Sequence, residues 1–277
     1  MGQIAKLFDK KAAPILSAFF VVLFLLEHKR KLRKTTQPLN KRAATNTIVA
    51  IPAFALLRLL FLPIMVKLAL TNKNYGIGRR LKLPPIIDWV VTFLILDYGN
   101  YLWHFVNHRI PVLWRFHLVH HTDLDLDTTT AFRFHFGEII GSVFSRGLFV
   151  ILSNASAKQV LYYELLFEAA IEFHHSNIRM SIKTENLLNK LIVTPRMHGI
   201  HHLVNKDETN SNCSVIFSLW DRIHQTFNAK PKQQQIIIGV PAYRDAKQMT
   251  TRYLWSMPFK KQVMKKPNYF KSVKHVM

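Results

Sequence analysis

The run Thr45–Leu70 is apolar apart from Arg58 and Lys67, and it leaves the chain few possible folds. A hydrocarbon span needs about 20 mostly apolar residues, within a range of roughly 17–25. Inside lipid every backbone N–H and C=O must be paired within the structure, so such a run is a helix. Ala12–Leu26 carries no charge and is followed by seven Lys/Arg between Lys29 and Arg42 with no acid. It is short for a span, but snorkelling flanks extend it. The charge block fits a stop-transfer signal better than a cleavage site, so this helix is expected to stay uncleaved. Leu83–Phe105, interrupted by Asp88 and Asp97, is the third expected span. Ile139–Leu152, around Arg146, and Val160–Phe173, with three glutamates, are too short and too charged to cross singly. They are expected to form a buried or re-entrant helical hairpin.

The basic block also orients the chain. Loops rich in Lys and Arg stay cytoplasmic. Helix one then ends inside, helix two runs outward, helix three returns, and residues from about His104 onward emerge in the cytoplasm. The Thr71–Lys82 loop carries Lys73, Arg79, Arg80 and Lys82, which weakens the asymmetry without reversing it. With 38 Lys+Arg against 16 Asp+Glu the formal charge is +22. A nucleic-acid binder can carry that charge, but it is normally more polar than a mean hydropathy of +0.07 and brings a recognition motif. Basic loops on a membrane protein fit both numbers, and no nucleic-acid partner is expected. The single cysteine, Cys213, excludes a disulfide scaffold, a Cys-based zinc module and an iron–sulfur cluster.

Eleven of the 14 histidines lie between His104 and His202. Most are patterned, as His104-x-x-x-His108, His117-x-x-His120-His121 and His198-x-x-His201-His202. Meeting the three-histidine pattern twice by chance is on the order of one in a thousand at this histidine frequency. On a helix, positions i, i+3 and i+4 share a face, so each group aims two or three imidazoles at one point. Neutral imidazole is the commonest protein metal ligand and suits iron, zinc and copper. Eight imidazoles exceed what one first-row ion accepts, which implies two metals.

Other residues support or compete with that reading. Asp97, Tyr101, His104 and His108 form one stripe on the third span, and Asp97 is placed to accept from a ligand's second ring nitrogen. Glu164, Glu168 and Glu172 repeat every four residues towards His174 and His175. Glu168 and Glu172 are further candidates for that supporting role, the alternative being a solvated face. Pro111 opens the helix of the second group; Thr194 and Pro195 cap and open that of the third. Asp123, Asp125 and Asp127 mimic the start of a calcium loop, but Thr128 stands where glycine is needed and Phe134 where glutamate is, so calcium is not expected. Trp103, Trp114 and Phe116 either line a substrate's way in or anchor the interface.

The run Asp97–His121, DYGNYLWHFVNHRIPVLWRFHLVHH, resembles the membrane-bound fatty acid hydroxylase/sterol desaturase superfamily, with its HxxxH, HxxHH and late HxxHH boxes. Thr128–Glu138 (TTTAFRFHFGE) resembles its TTalRFHPxE segment, with Phe136 where proline is usual. Phe173–Asn177 (FHHSN) resembles its xHSN element, which makes His175 rather than His174 a ninth ligand candidate. Thr194–His202 resembles the third box, and Ser218–Phe227 the WDRxFGT signature. There His224 and Gln225 replace Phe and Gly, and Cys213-Ser214 replaces an aromatic–Gly pair; these departures bear on substrate-pocket shape more than on metal binding.

The resemblance covers about residues 85–230 and implies an all-α fold, an integral, multi-pass membrane helical bundle with a cytosolic histidine-rich di-metal helical cap. Residues 1–83 would be N-terminal membrane helices and basic loop, 84–230 a fatty acid hydroxylase-like catalytic domain, and 231–277 a basic tail. Lys260, Lys261, Lys265, Lys266, Lys271 and Lys274 in that tail suit anionic lipid. The implied ligands of two iron ions are His104, His108, His117, His120, His121, His175, His198, His201 and His202. The implied chemistry uses O2 to hydroxylate or desaturate a membrane lipid such as a fatty acyl chain or sterol-like lipid. All-nitrogen sites also accept zinc on overexpression. With no haem or flavin motif, electrons are expected from a separate ferredoxin- or cytochrome-type protein. The rival reading is a metal-binding or transport protein without oxygenase activity, but transporters place their sites near the midplane on broken helices. A zinc hydrolase would need an HExxH-type box, which the sequence lacks.

Overall fold

The computed structural model describes residues 2–72, 76–77, 81–233 and 236–262. Lys73, Arg79 and Arg80 of the loop, and Lys265, Lys266, Lys271 and Lys274 of the tail, lie outside the described residues. The elements in order are α1 (Gly2–Lys29), α2 (Leu39–Leu56), α3 (Leu62–Thr71), α4 (Pro85–Arg109), α5 (Pro111–His121), α6 (Phe136–Ser153), α7 (Ala157–His175), α8 (Ile182–Leu188) and α9 (Pro195–His201). Shorter helices α10 (Lys206–Thr209), α11 (Leu219–Ile223) and α12 (Thr251–Ser256) follow. Among the described residues the β pairing is confined to isolated bridges, such as Lys31 with Ile178 and Ile192 with Phe217. The fold is all-α.

The second apolar run becomes one continuous rod, because α2 passes into α3 through a π turn over Leu57–Phe61. Pro63 follows that turn and has no N–H to return to the preceding turn, and π turns absorb such breaks. Among the described residues, three segments are long and apolar enough to cross a bilayer: Lys10–Lys29, Leu39–Thr71 and Phe136–Ser153. The first two match the sequence reading. The third does not. Phe136–Ser153 was expected to be too short and too charged, yet the helix extends beyond the run at both ends. Its Arg146 is buried and paired with Glu164 at 2.7 Å, so the charge is not presented to lipid. Pro85–Arg109, the expected third span, is a helix but falls outside that set, because its second half carries Asp97, Asn100, His104, Asn107 and His108.

Asn154 ends α6 in the left-handed region (φ 56), and Asn72, just after α3, donates from Nδ2 to Ile151 O at 2.9 Å. Gly76 packs so tightly on Asn154 that an added Cβ would come within 2.4 Å of its Cβ. The α6–α7 turn therefore reaches the same end of the bundle as the α3–α4 connection. Large apolar side chains such as Leu59 and Phe144 remain about 80% exposed around this bundle, as a lipid-facing surface would leave them.

Two cores hold the helices. One joins Phe61, Leu62, Met65 and Val66 to Leu96 of α4, Val150 of α6 and Tyr163 of α7. The other sets Val49 of α2 and Leu118 and Val119 of α5 against Tyr243, Met249, Leu254 and Met257. The N-terminal helices thus share a core with the helices that carry the boxes, and Tyr243, Met249, Leu254 and Met257 pack into it. Asp123, Asp125 and Asp127 face Arg42, a contact reinforced by Asn46 and Thr36. This network ties the start of α2 to the loop after α5.

Candidate metal centre

Local sequence rules place each box. Pro111 occupies the first turn of α5, behind an extended Ile110. Thr194 caps α9 by accepting from Met197 N, and Pro195 follows it in the first turn. Helix α4 then brings His104 and His108, α5 brings His117, His120 and His121, α7 ends on His175, and α9 brings His198 and His201, with His202 just beyond it. The nine candidate imidazoles gather into two groups, each with its ring nitrogens within 4.8 Å of one another. His104, His108, His117, His121 and His201 form one; His120, His175, His198 and His202 form the other. Neither group follows the sequence boxes, since the second and third boxes each contribute to both.

Hydrogen bonds set the tautomers. A carbonyl or carboxylate can only accept, so the ring nitrogen facing it carries the proton and the other presents a lone pair. His104 Nδ1 faces Cys213 O at 2.8 Å, His201 Nδ1 faces Ser211 O at 2.8 Å, and His175 Nδ1 faces Ile171 O at 2.8 Å. His117 Nδ1 faces Glu138 Oε1 at 3.0 Å. Each of these rings turns Nε2 inward as a lone pair. His201 Nε2 and His108 Nε2 are buried without a protein partner. In the second group, His175 Nε2 lies 2.9 Å from both His120 Nε2 and His198 Nε2, and His198 Nε2 lies 3.1 Å from His202 Nε2. Converging Nε2 atoms of this kind suit a shared cation, and an all-imidazole donor set fits iron, zinc or copper.

Burial keeps six of the rings neutral, as ligands must be. Desolvation drives His175 and His201 down to about 3, and with neighbouring imidazoles it holds His120, His121, His198 and His202 well below the usual histidine range. The two remaining histidines of this region fall outside both groups. His135 caps α6, its Nδ1 accepting from Gly137 N and its Nε2 donating to Trp255 O, so both nitrogens are used. His174 gives Nδ1 to Val215 O and packs 4.1 Å from His198, centroid to centroid.

The supporting carboxylates differ from those the sequence suggested. Asp97 touches no histidine. It accepts from Phe217 N, Ile216 N, Trp220 Nε1 and Tyr163 OH, which clamps α4 to the segment before α11. Glu168 pairs with Arg58 at 2.7 Å, Glu164 pairs with Arg146, and Glu172 meets no ligand histidine. The carboxylate that orients a ring is Glu138, and its place at the end of the RFHFGE stretch was the available signal. Sequence reasoning also missed Arg33, which donates to Ser176 O and Pro195 O and so pins the ends of α7 and α9 together. Glu27 was likewise unmarked; its Oε2 accepts from Asn177 N and Thr128 N.

A cavity of about 420 Å³ opens beside this centre, walled by α1, α2, α4, α6 and α7. Asn100, Trp103, Phe134, Glu138, Phe167 and Ile171 line both it and a smaller space against His104, His117, His120, His175 and His198. Phe134 stacks on His120 at 4.5 Å with an 8° interplanar angle, a wall between cavity and ligands. Trp103 is thus a cavity residue. Trp114 instead packs on His108 and His121, and Phe116 on His135.

The fatty acid hydroxylase family model matches residues 89–226, a segment containing all nine grouped histidines. The chain belongs to the fatty acid hydroxylase/sterol desaturase superfamily. Alkylglycerol monooxygenase of Xenopus tropicalis is 28% identical over 153 residues, 55% of this chain and 32% of that protein. Ornithine lipid hydroxylase OlsE of Rhizobium tropici is 27% identical over 157 residues, 57% and 46% respectively. Cholesterol 25-hydroxylase of Rattus norvegicus is 22% identical over 173 residues, 60% and 55%. The chain spans between about a third and about half the length of these curated relatives. No solved structure matches it significantly. Two of its departures from the superfamily pattern have structural readings. Gln225 sits at φ 58, where the usual glycine carries no penalty. His224 stacks on Tyr101 and Tyr98 rather than facing the metal centre.

Proposed function

We propose that this protein is a membrane-bound di-iron enzyme that uses O2 to hydroxylate or desaturate a lipid. The observation that carries this reading is the abutment of nine convergent imidazoles on a largely apolar cavity. His104, His108, His117, His121 and His201 would hold one ion, and His120, His175, His198 and His202 the other. Iron in such a site supplies reductive activation of O2 and attack on an unactivated C–H bond. The chain's own residues do the rest. Glu138 keeps the proton on His117 Nδ1, and the backbone carbonyls of Ser211, Cys213 and Ile171 do the same for His201, His104 and His175. Phe134, Phe167 and Trp103 exclude water and align a chain against the ligand face. A cavity between helices lets a lipid enter from the bilayer without crossing water, and the basic loops support a cytoplasmic position for the centre. Electrons come from a separate donor protein. Names such as alkylglycerol monooxygenase and ornithine lipid hydroxylase support a lipid substrate.

The test compares the lipids of cells with and without the gene, then repeats the conversion with purified, iron-loaded protein and a reductant. One added oxygen, or two removed hydrogens, is expected only with O2. A product that forms anaerobically, or persists in His120→Ala, overturns the proposal.

A further inference from the structure

Two short elements near the metal centre leave apolar side chains exposed. Leu187 and Leu191, on α8 and the turn after it, and Leu219 and Ile223, on α11, are between 41% and 67% exposed. Hydrogen bonds fasten the two pairs together. Ser218 N donates to Leu191 O at 3.1 Å, and Asn189 O accepts from Ser218 Oγ at 2.6 Å and from Arg222 Nη2 at 2.9 Å. Both elements lie outside the three segments long and apolar enough to cross a bilayer, so the patch is not the flank of a span. The charge around it is one-sided. Residues 178–192 and 217–232 hold six cations, Arg179, Lys183, Lys190, Arg222, Lys230 and Lys232, against two acids, Glu185 and Asp221. All six cations are exposed and both acids are buried. Glu185 faces Arg196, and Asp221 accepts from Cys213 N and Ser214 N.

The height of the patch identifies what covers it. Trp220 Nε1 of α11 donates to Asp97 Oδ2 at 2.8 Å, which fixes α11 beside the middle of α4. Asp97 precedes His104 by seven residues, a rise of about 10 Å towards the α3–α4 connection. With the metal centre at the cytoplasmic edge of the membrane, α11 therefore sits about 10 Å into the leaflet, and a tilt of α4 only lessens that depth. Elements that lie in a membrane interface bury their apolar side chains about 5–10 Å deep and carry Lys and Arg on the polar side. We propose that α8, the turn after it and α11 form a foot embedded in the cytoplasmic leaflet without crossing it, with Lys183 and Lys190 on anionic headgroups. The inference uses the proposed position of the centre but none of its chemistry. A protein docking from the cytoplasm would have to reach below the membrane surface to cover these four side chains.

The full chain in nanodiscs of phosphatidylcholine and phosphatidylserine tests this. Bimane is attached to Leu187→Cys, to Ile223→Cys and, as a water-facing control, to Lys230→Cys; the native Cys213 is buried. Phosphatidylcholine spin-labelled high on its acyl chain should quench the first two labels. Aqueous iodide should quench the label on Lys230→Cys at least roughly fivefold more strongly than either of them, because a foot at this depth is shielded from water. Spin-labelled phosphatidylserine should quench the foot labels more than the phosphatidylcholine does, by a local enrichment of up to roughly fivefold per lysine, which is about 1 kcal/mol each. Lys183→Gln combined with Lys190→Gln should abolish that excess. Quenching of both foot labels by iodide and not by lipid overturns the proposal. So does shielding from both quenchers, which would mean that a second copy or another stretch of protein covers the patch. An excess for phosphatidylserine that survives the paired lysine substitution overturns the assignment of those lysines to headgroups. None of these readings involves turnover. A failed oxidation leaves the foot standing, and a failed foot leaves O2-dependent oxidation of a lipid standing.

Discussion

Glu138 and His117 stand 21 residues apart on different helices, yet Glu138 Oε1 accepts from His117 Nδ1 at 3.0 Å with both side chains buried. That bond orients the ring and raises its basicity, and losing such a partner typically lowers metal affinity or activity 10–100-fold. Glu138→Ala should lower iron affinity by roughly that range, and Glu138→Gln by less because an amide oxygen still accepts. Competition with a chelator reads it. Asp97→Asn, which touches no histidine, should destabilise the fold and leave iron affinity nearly unchanged.

The two histidine groups should empty separately. His201→Ala removes a ligand of one and His120→Ala a ligand of the other. Elemental analysis of each purified variant should find about one ion fewer than the unmutated protein, which should carry two. A full complement in either variant contradicts the division. Zinc recovered from overexpressing cells would leave the count intact, and reconstitution with iron then decides function.

The pH response follows from burial. In the folded chain His175 and His201 titrate at about 3, whereas an unfolded histidine titrates near 6.5. Between those values the unfolded chain binds protons that the folded chain does not, so stability rises with pH across that window. Chelator-stripped protein should be most stable above about pH 6.5 and lose melting temperature steadily as pH falls towards 5. A melting temperature that rises on acidification would contradict the neutral, buried state of these rings.

Orientation can be read with engineered cysteines, because Cys213 is fully buried. Ile77→Cys lies by the α3–α4 connection and Lys230→Cys beyond α11, and both positions are exposed. In sealed vesicles a membrane-impermeant thiol reagent should label them from opposite sides, Lys230→Cys from the cytoplasmic one. Labelling of both from one side would reverse the proposed path of the chain while leaving the metal centre as described.

The boxes were legible because their spacing is local: i, i+3 and i+4 share a helix face whatever the tertiary fold does. The division into groups was not, since it depends on how α5 and α9 cross, and neighbouring His120 and His121 end in different groups. Asp97 was misassigned for a related reason. It does share a stripe with His104, but a stripe fixes direction and not partner, and the loop at Ile216–Trp220 supplies four donors together with Tyr163 before any imidazole comes within reach. Phe136–Ser153 read as too charged to cross because Arg146 counted as a free charge, when Glu164, 18 residues on, neutralises it. Arg33, tied to residues more than 140 positions away, had no periodic signal at all.

The packing of residues 243–257 on α5 separates the order of synthesis from the order of completion. All nine grouped histidines have been synthesised by residue 202, but Val119, next to His120, still lacks Leu254 and Met257, and His135 still lacks the Trp255 carbonyl. Until those residues arrive, α5 has no floor on one side. An ion captured by the nascent chain would meet a helix free to rotate and an incomplete set of neighbours. On the proposed metal-binding reading, ions would therefore enter late, after translation and membrane insertion of the chain.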